Sequence, residues 1–117
     1  PTPVKYYNRS IHGAYKQLEK SACEKITDML PEELKKGIAP FVLADEDSEE
    51  YRLVKAADRL SAYIKCLEEL RSGNSEFSKA KKSIEADLRS RHMPEVEYFF
   101  ENFIPSFSLT LDELEGF

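Results

Sequence analysis

The stretch Val54–Leu70, VKAADRLSAYIKCLEEL, is the part of the sequence that decides the fold. Apolar residues recur in and just before it at steps of three and four, forming one stripe: Leu53, Ala57, Leu60, Ile64 and Leu67. This period is typical of an amphipathic α-helix that buries one face. The pattern predicts a long helix over residues 48–72, which Gly73 ends at the position where glycine is favoured.

Asp58 is the residue of this helix that the amphipathic pattern does not explain. Its neighbours four positions away are Val54 and Ala62, and neither carries a charge. Its nearest cations within one turn are Lys55 and the adjacent Arg59, which points elsewhere. Asp58 lies about 140° around the helix from the centre of the stripe. Two interpretations stay open: an edge aspartate loosely paired with Lys55, or a carboxylate facing a second packed surface, where it would need a cation or a metal ion.

The sequence before this helix also predicts helices. Residues 8–29 carry an apolar stripe at helical spacing, and Asn8 is a suitable N-cap because its side chain can accept from the free amides of the first turn. We expect Pro31 to open a short second helix. Gly37 and Pro40 are expected to end or kink that helix soon after.

The sequence after Gly73 continues in the same way. Residues 74–91 predict a fourth helix with a narrow apolar stripe, and Pro94 starts a last long one that is rich in aromatic residues. Thr110 and Glu113 fit a capping box, in which the two residues close the first turn of a helix reciprocally. No convincing strand is found, so we predict an all-α fold of about five helices.

Composition excludes several classes of protein. A length of 117 residues suits one domain, and a net charge of −5 argues against nucleic acid as the default partner. No apolar run approaches the roughly 18 residues that a membrane helix needs. With no charged-then-apolar leader, we expect a cytoplasmic protein.

Cys23 and Cys66 are then expected to be reduced thiols that pack as small apolar groups. The start at Pro1 without a methionine leads us to expect further residues upstream, with methionine removal or tag cleavage as the alternative explanations.

Other candidate sites have more ordinary interpretations. His12 and His92 are the only histidines, and neither has a second histidine or cysteine at helical spacing, so we expect no zinc site from this chain alone. The acidic residues 45–50 fit a solvated loop that leads into a helix N-terminus. The lysines at 79–82 fit a solvated helix face. The aromatic run around Phe99 and Phe100 fits core packing, with a homodimer face as the alternative.

Four runs of residues carry a resemblance to a known family: PTPVKYYN, DMLPEELKKGIAPF, LVKAADRLSAYIKCLEELRSGNSEF and EYFFENFIPSFSLTLDEL. In this order and over essentially the whole chain, the sequence resembles the C-terminal part of the bacterial HD-domain 5′-deoxynucleotidases, the YfbR-like family. The resemblance implies a helical HD-type bundle. Residues 1–117 would be the C-terminal part of a single phosphohydrolase domain.

The resemblance also implies site residues. HD proteins hold a metal ion through a His…His-Asp…Asp pattern, and Asp58 of VKAAD matches the last aspartate. The other ligands, the catalytic glutamate and a Gly-Asp pair are expected before Pro1, so no catalytic residue is expected within this chain. Pro1 and Thr2 would be the end of a segment that contacts the nucleotide, and together with Asp58 they form the expected substrate site.

The implied chemistry is metal-assisted hydrolysis of a deoxynucleoside 5′-monophosphate to nucleoside and phosphate. The family suggests cobalt, manganese or a similar divalent ion, and oxygen ligands also permit magnesium. We expect a homodimer that is active as the full-length protein and inactive as this chain alone. Two alternatives stay open: an HD phosphohydrolase acting on another nucleotide, and a non-catalytic helical dimerisation or interaction module.

Overall fold

A computed structural model describes residues 8–114 of the chain, with only the backbone described at positions 9, 111 and 114. These residues form helices, turns and loops with no strand among them, so the predicted all-α class is confirmed. Five α-helices have nine residues or more: α1 (Arg9–Asp28), α2 (Glu32–Val42), α3 (Glu49–Arg71), α4 (Ser78–Ser90) and α5 (Pro94–Asn102). Shorter elements are the 3-10 helices Ser75–Phe77 and Ile104–Ser108 and the four-residue α6 (Leu111–Leu114). None of the described helices has the length and apolar character needed to cross a membrane.

The chain forms two compact units, one ending at Tyr51 and the other beginning at Arg52. In the first, α1 begins as predicted, because the Asn8 side chain accepts from the backbone N–H groups of Ser10 at 2.9 Å and Ile11 at 3.4 Å. The N-cap of α1 was therefore predictable from one residue. Near the other end of α1, Asp28 lies 3.7 Å from the Lys35 Nζ of α2.

The second helix is short, as expected, but neither Gly37 nor Pro40 is the residue that ends it. Gly37 and Pro40 both lie inside the helix, which continues to Val42. Pro40 is in the last turn, so its missing N–H removes a single backbone hydrogen bond near the helix end. The Leu43 N–H donates to the Ala39 carbonyl at 2.8 Å and closes the turn beyond the proline.

The second unit has one apolar core that joins α3, α4 and α5. Its buried residues come from all three helices and from the residue before α5: Ala56, Leu60, Tyr63, Leu88, Met93, Val96 and Phe100. Leu88 and Val96 are the most deeply buried large side chains, with 0% and 1% of their surface exposed. This core holds the last two turns of α5 and the middle of α3 together.

The buried face of α3 differs from the predicted stripe. Leu53 is 40% exposed and Ala57 is exposed, whereas Ala56 and Tyr63 are buried. The difference arises because Tyr63, which the aliphatic stripe left out, contributes a large ring to the core and finds a partner for its hydroxyl in Glu85 at 3.3 Å. Compared with the predicted stripe, the buried face of α3 is therefore rotated toward Tyr63.

The end of α3 agrees with the sequence prediction. Gly73 has a φ of 89°, in the left-handed region that favours glycine. Its N–H donates to the Leu70 carbonyl at 3.0 Å, and the N–H of Asn74 donates to the Glu69 carbonyl at 2.9 Å. These two bonds form a Schellman motif, which satisfies carbonyl groups that the helix end leaves without partners.

The aromatic residues after α4 lie partly in the core and partly on the surface. Phe100 is buried and Phe99 is half-buried, as expected for core packing. Tyr98 and Phe103 are 60% and 48% exposed, and their ring centroids lie 6.1 Å apart. Only part of the aromatic run is therefore used by the core of this unit.

Candidate metal and nucleotide site

Asp58 lies in the third turn of α3 and is exposed. Ala56 and Leu60, two positions before and after it, are both buried in the core. Two residues correspond to about 200° of rotation along an α-helix. Asp58 therefore points away from the core of its unit.

The carboxylate of Asp58 takes no part in the hydrogen bonds and ion pairs found within residues 8–114. The loose pair with Lys55 that the sequence left open is thus not formed by Asp58. The exposed residues around it are small or apolar: Val54, which is 64% exposed, Ala57 and Ser61. Its oxygen atoms are available to an additional ligand.

The neighbouring Arg59 is directed to another helix. Its Nε donates to the Oδ2 atom of Asp87 on α4 at 3.1 Å, and the Arg91 Nη2 donates to the same oxygen at 3.1 Å. The sequence interpretation that Arg59 points elsewhere is confirmed. Its partner was not found from the sequence, because Asp87 is 28 residues away and only the packing of α4 on α3 brings it close.

A complete metal site is not present in the described part of the chain. Within residues 8–114, no three histidine, cysteine, aspartate or glutamate side chains lie close enough to hold a metal ion together. The Asp58 carboxylate is a hard oxygen donor with no hydrogen-bond or ion-pair partner within residues 8–114, so it could serve as one ligand of such a site. It can supply one ligand to an ion whose other ligands come from elsewhere.

Neither histidine belongs to a group of potential metal ligands within residues 8–114. His12 is half-buried, and its Nδ1 atom has no hydrogen-bond partner within residues 8–114. His92 is exposed and has a φ of 49° at the end of α4. Pro1 and Thr2 lie outside the described residues, so their assignment to the substrate site stays a prediction.

Cys66 is not an activated nucleophile. Both cysteines are free thiols, as predicted, and Cys66 is buried in the second unit. Burial raises the pKa of the Cys66 thiol above its ordinary value of 9.0, which keeps it protonated. Cys66 therefore acts as a small apolar group of the core.

The relationship of the chain to known proteins rests on matches along almost its whole length. The family model described as 5′-deoxynucleotidase YfbR-like matches residues 1–107. The chain belongs to the YfbR-like family. The family resemblance predicted from the sequence is thereby confirmed. The matched residues include the VKAAD segment that carries Asp58.

Individual YfbR-like relatives agree with this assignment. The chain is 49% identical over 115 residues to a 5′-deoxynucleotidase of Vibrio cholerae, covering 97% of this chain and 59% of the relative. It is 53% identical over 117 residues to the 5′-deoxynucleotidase YfbR of Escherichia coli, covering 97% of this chain and 58% of the relative. A 5′-deoxynucleotidase of Erwinia tasmaniensis is 53% identical over 115 residues, with shares of 97% and 58%. The chain thus spans about three fifths of the length of the relatives it matches.

Proposed function

We propose that residues 1–117 are the C-terminal part of a single HD-type phosphohydrolase domain, and that the whole protein is a metal-dependent 5′-nucleotidase. It would hydrolyse deoxynucleoside 5′-monophosphates to nucleoside and phosphate. The observation that carries the proposal is the identity of about half of all positions with 5′-deoxynucleotidases over 97% of this chain. The substrate of the relatives is given by their names, and its transfer to this protein is part of the proposal.

Asp58 is proposed as one oxygen ligand of a divalent metal ion. Three features support this role: the carboxylate is exposed, it faces away from the core, and it forms no hydrogen bond or ion pair within residues 8–114. Burial of Ala56 and Leu60 on the other side of α3 keeps the carboxylate directed away from the core. Pro1 and Thr2 are proposed to contact the nucleotide next to this ligand.

The proposed chemistry divides between the ion and the chain. When bound, a divalent ion polarises a phosphate oxygen and lowers the pKa of a water molecule. Asp58 would hold the ion and offset part of its charge, and α3 would keep the carboxylate in place. The Thr2 hydroxyl or its backbone would bind the phosphate or the sugar. Cobalt or manganese is proposed as the ion, with magnesium also compatible with oxygen ligands.

The test is the Asp58→Ala variant of the full-length protein. We expect it to lose bound metal and phosphate release from deoxynucleoside monophosphates, while its thermal unfolding changes little because Asp58 has no partner within the described residues. Glu68→Ala, which removes another exposed carboxylate of α3, is the matched control and should retain both properties. Unchanged metal content in Asp58→Ala would contradict the assignment, and release of phosphate only from other nucleotides would favour a different substrate.

We also propose a cytoplasmic homodimer whose interface includes Tyr98 and Phe103. The support is the exposure of these two neighbouring rings, since exposed aromatic groups are concentrated at protein interfaces. Tyr98→Ser with Phe103→Ser should lower the mass measured by light scattering to that of a monomer. Phe41→Ser, which changes a phenylalanine that is 86% exposed, serves as the control. Dissociation by the control alone would place the interface elsewhere.

A further inference from the structure

Two polar bridges join α3 to α4 in the second unit. The Arg59 Nε donates to the Oδ2 of Asp87 at 3.1 Å, and the Tyr63 hydroxyl donates to the Oε2 of Glu85 at 3.3 Å. Arg59 and Tyr63 are one helical turn apart on α3, so both bridges leave from the same side of the helix. The first of them begins at the residue that follows Asp58.

Asp87 is itself held in place on α4. Its Oδ2 atom accepts a second hydrogen bond from the Arg91 Nη2 at 3.1 Å, four residues later on the same helix. The side chain of Arg91 is 31% exposed, and those of Asp87 and Arg59 are 36% and 38% exposed. One carboxylate oxygen therefore connects the end of α4 to the middle of α3.

The direction of Asp58 depends on the rotation of α3, because this side chain has no partner of its own within residues 8–114. A carboxylate lies about 5 Å from a helix axis, so a rotation of about 10° displaces it by about 0.9 Å. Metal–ligand distances tolerate deviations of only about 0.2 Å. A small rotation at this turn is therefore sufficient to disturb a metal ligand.

Apolar packing restrains this rotation unevenly. The core residues nearest to Asp58 along α3 are Ala56, whose side chain is a single methyl group, and Leu60. The large ring of Tyr63 comes more than one turn later. The bridge from Arg59 to Asp87 thus supplies a fixed contact at a turn of α3 where no large ring packs into the core.

We infer that Asp87 is a positioning residue that acts through Arg59 to hold α3 in the rotation that directs Asp58 at the metal ion. The inference rests on the proposed function of Asp58. Exposed ion pairs contribute little to stability, so loss of this bridge should change the free energy of unfolding only slightly. Asp87 does not contact the ion or the substrate.

The experiment uses the full-length protein with Asp87→Asn, which removes the negative charge of the bridge, and Arg59→Met, which removes its donor. Mn²⁺ affinity is measured by titration calorimetry, and the visible spectrum of bound Co²⁺ reports ligand geometry. Residues that orient a ligand typically change metal affinity about 10- to 100-fold, and we expect the lower end, about tenfold, because Asp87 acts through the backbone. The Co²⁺ spectrum should change in both variants, and Arg59→Lys should recover part of the affinity.

Glu97→Gln is the matched control, because it breaks an ion pair of the same kind, Arg89 Nη1 to Glu97 at 2.6 Å, that does not involve α3. It should leave the Mn²⁺ affinity and the Co²⁺ spectrum unchanged. The inference is overturned if both bridge variants match the wild type, or if Glu97→Gln weakens binding equally. In those cases a loss of metal in Asp58→Ala would still support the proposed function. If Asp87→Asn does not fold, Arg59→Met decides the outcome alone.

Discussion

The rings of Tyr63 and Phe100 meet edge to face, with centroids 5.1 Å apart and planes inclined by 63°. This contact joins α3 to α5. The hydroxyl of the same tyrosine reaches α4, where it donates to Glu85, and the guanidinium carbon of Arg89 lies 4.5 Å from the centroid of the Phe100 ring. Tyr63 therefore links the three long helices of the second unit through both apolar and polar contacts.

Replacement of Tyr63 by phenylalanine should alter stability at alkaline pH. Burial, and then the negative charge of Glu85, raise the pKa of Tyr63 above its ordinary value of 10.0. The folded state thus holds the phenolic proton more tightly than the unfolded state. This contribution is complete below about pH 10 and is lost as the pH rises through the raised pKa. We expect Tyr63→Phe to lose about 1 kcal/mol at pH 7, the net value of one hydrogen bond, and to decline less steeply above pH 10.

Urea unfolding at pH 7 to 11 measures both effects. Tyr98→Phe is the control, since this tyrosine is exposed, and its stability should follow that of the wild type. Equal alkaline slopes for the wild type and Tyr63→Phe would show that the phenol does not contribute.

Leu88→Ala should be among the most destabilising changes to the core. The side chain is 0% exposed and lies among residues of α3 and α5. Loss of its buried methyl groups leaves a cavity, and we expect a decrease of about 3 kcal/mol in the free energy of unfolding. Leu18→Ala removes the same atoms from a side chain that is 65% exposed, and should change stability by less than about 0.5 kcal/mol. Similar losses in the two variants, measured by denaturant unfolding, would contradict the described core.

Alanine should have opposite effects at two glycines. Gly73 has a φ of 89°, so Gly73→Ala forces a side chain into the left-handed region and should cost about 1–2 kcal/mol. Gly37 lies inside α2, where an added Cβ meets nothing within 4 Å. Gly37→Ala should stabilise the protein by about 0.5–1 kcal/mol, because alanine loses less backbone entropy in a helix. Thermal unfolding of both variants gives the signs, and a gain at Gly73 would rule out the Schellman geometry.

The 117-residue chain by itself should show no phosphatase activity. Asp58 is one proposed ligand, and residues 8–114 contain no cluster that holds a metal ion. Phosphate release from deoxynucleoside monophosphates, measured with added Mn²⁺ or Co²⁺ and compared with the full-length protein, checks this. Robust turnover by the isolated chain would mean that a site is built from its own residues.

Features that depend on a few consecutive residues could be predicted from the sequence. The N-cap Asn8, the left-handed Gly73 and the capping box are of this kind; in the last, the Glu113 carboxylate accepts from the Thr110 N–H at 2.6 Å. Each one is decided by backbone groups within five positions. The fold class followed from such local patterns.

Features that depend on packing could not be predicted in the same way. The rotation of α3 toward Tyr63 requires the Phe100 ring and the Glu85 carboxylate, which belong to other helices. The same holds for the candidate site. Asp58 was identified from its helix and its family motif, but the bridge from Arg59 to Asp87 depends on a helix that follows much later in the chain.

The absence of a partner for the Asp58 carboxylate within residues 8–114 has a genetic consequence. Replacing a residue that stabilises no neighbour leaves the unfolded fraction, which proteases degrade, nearly unchanged. Loss of a buried leucine increases that fraction and lowers cellular abundance. We expect cells carrying Asp58→Ala to accumulate normal amounts of an inert protein, and cells carrying Leu88→Ala to contain little of it. In a homodimer, the inert subunits would also enter mixed pairs with active ones, so the Asp58 allele would be the more dominant of the two.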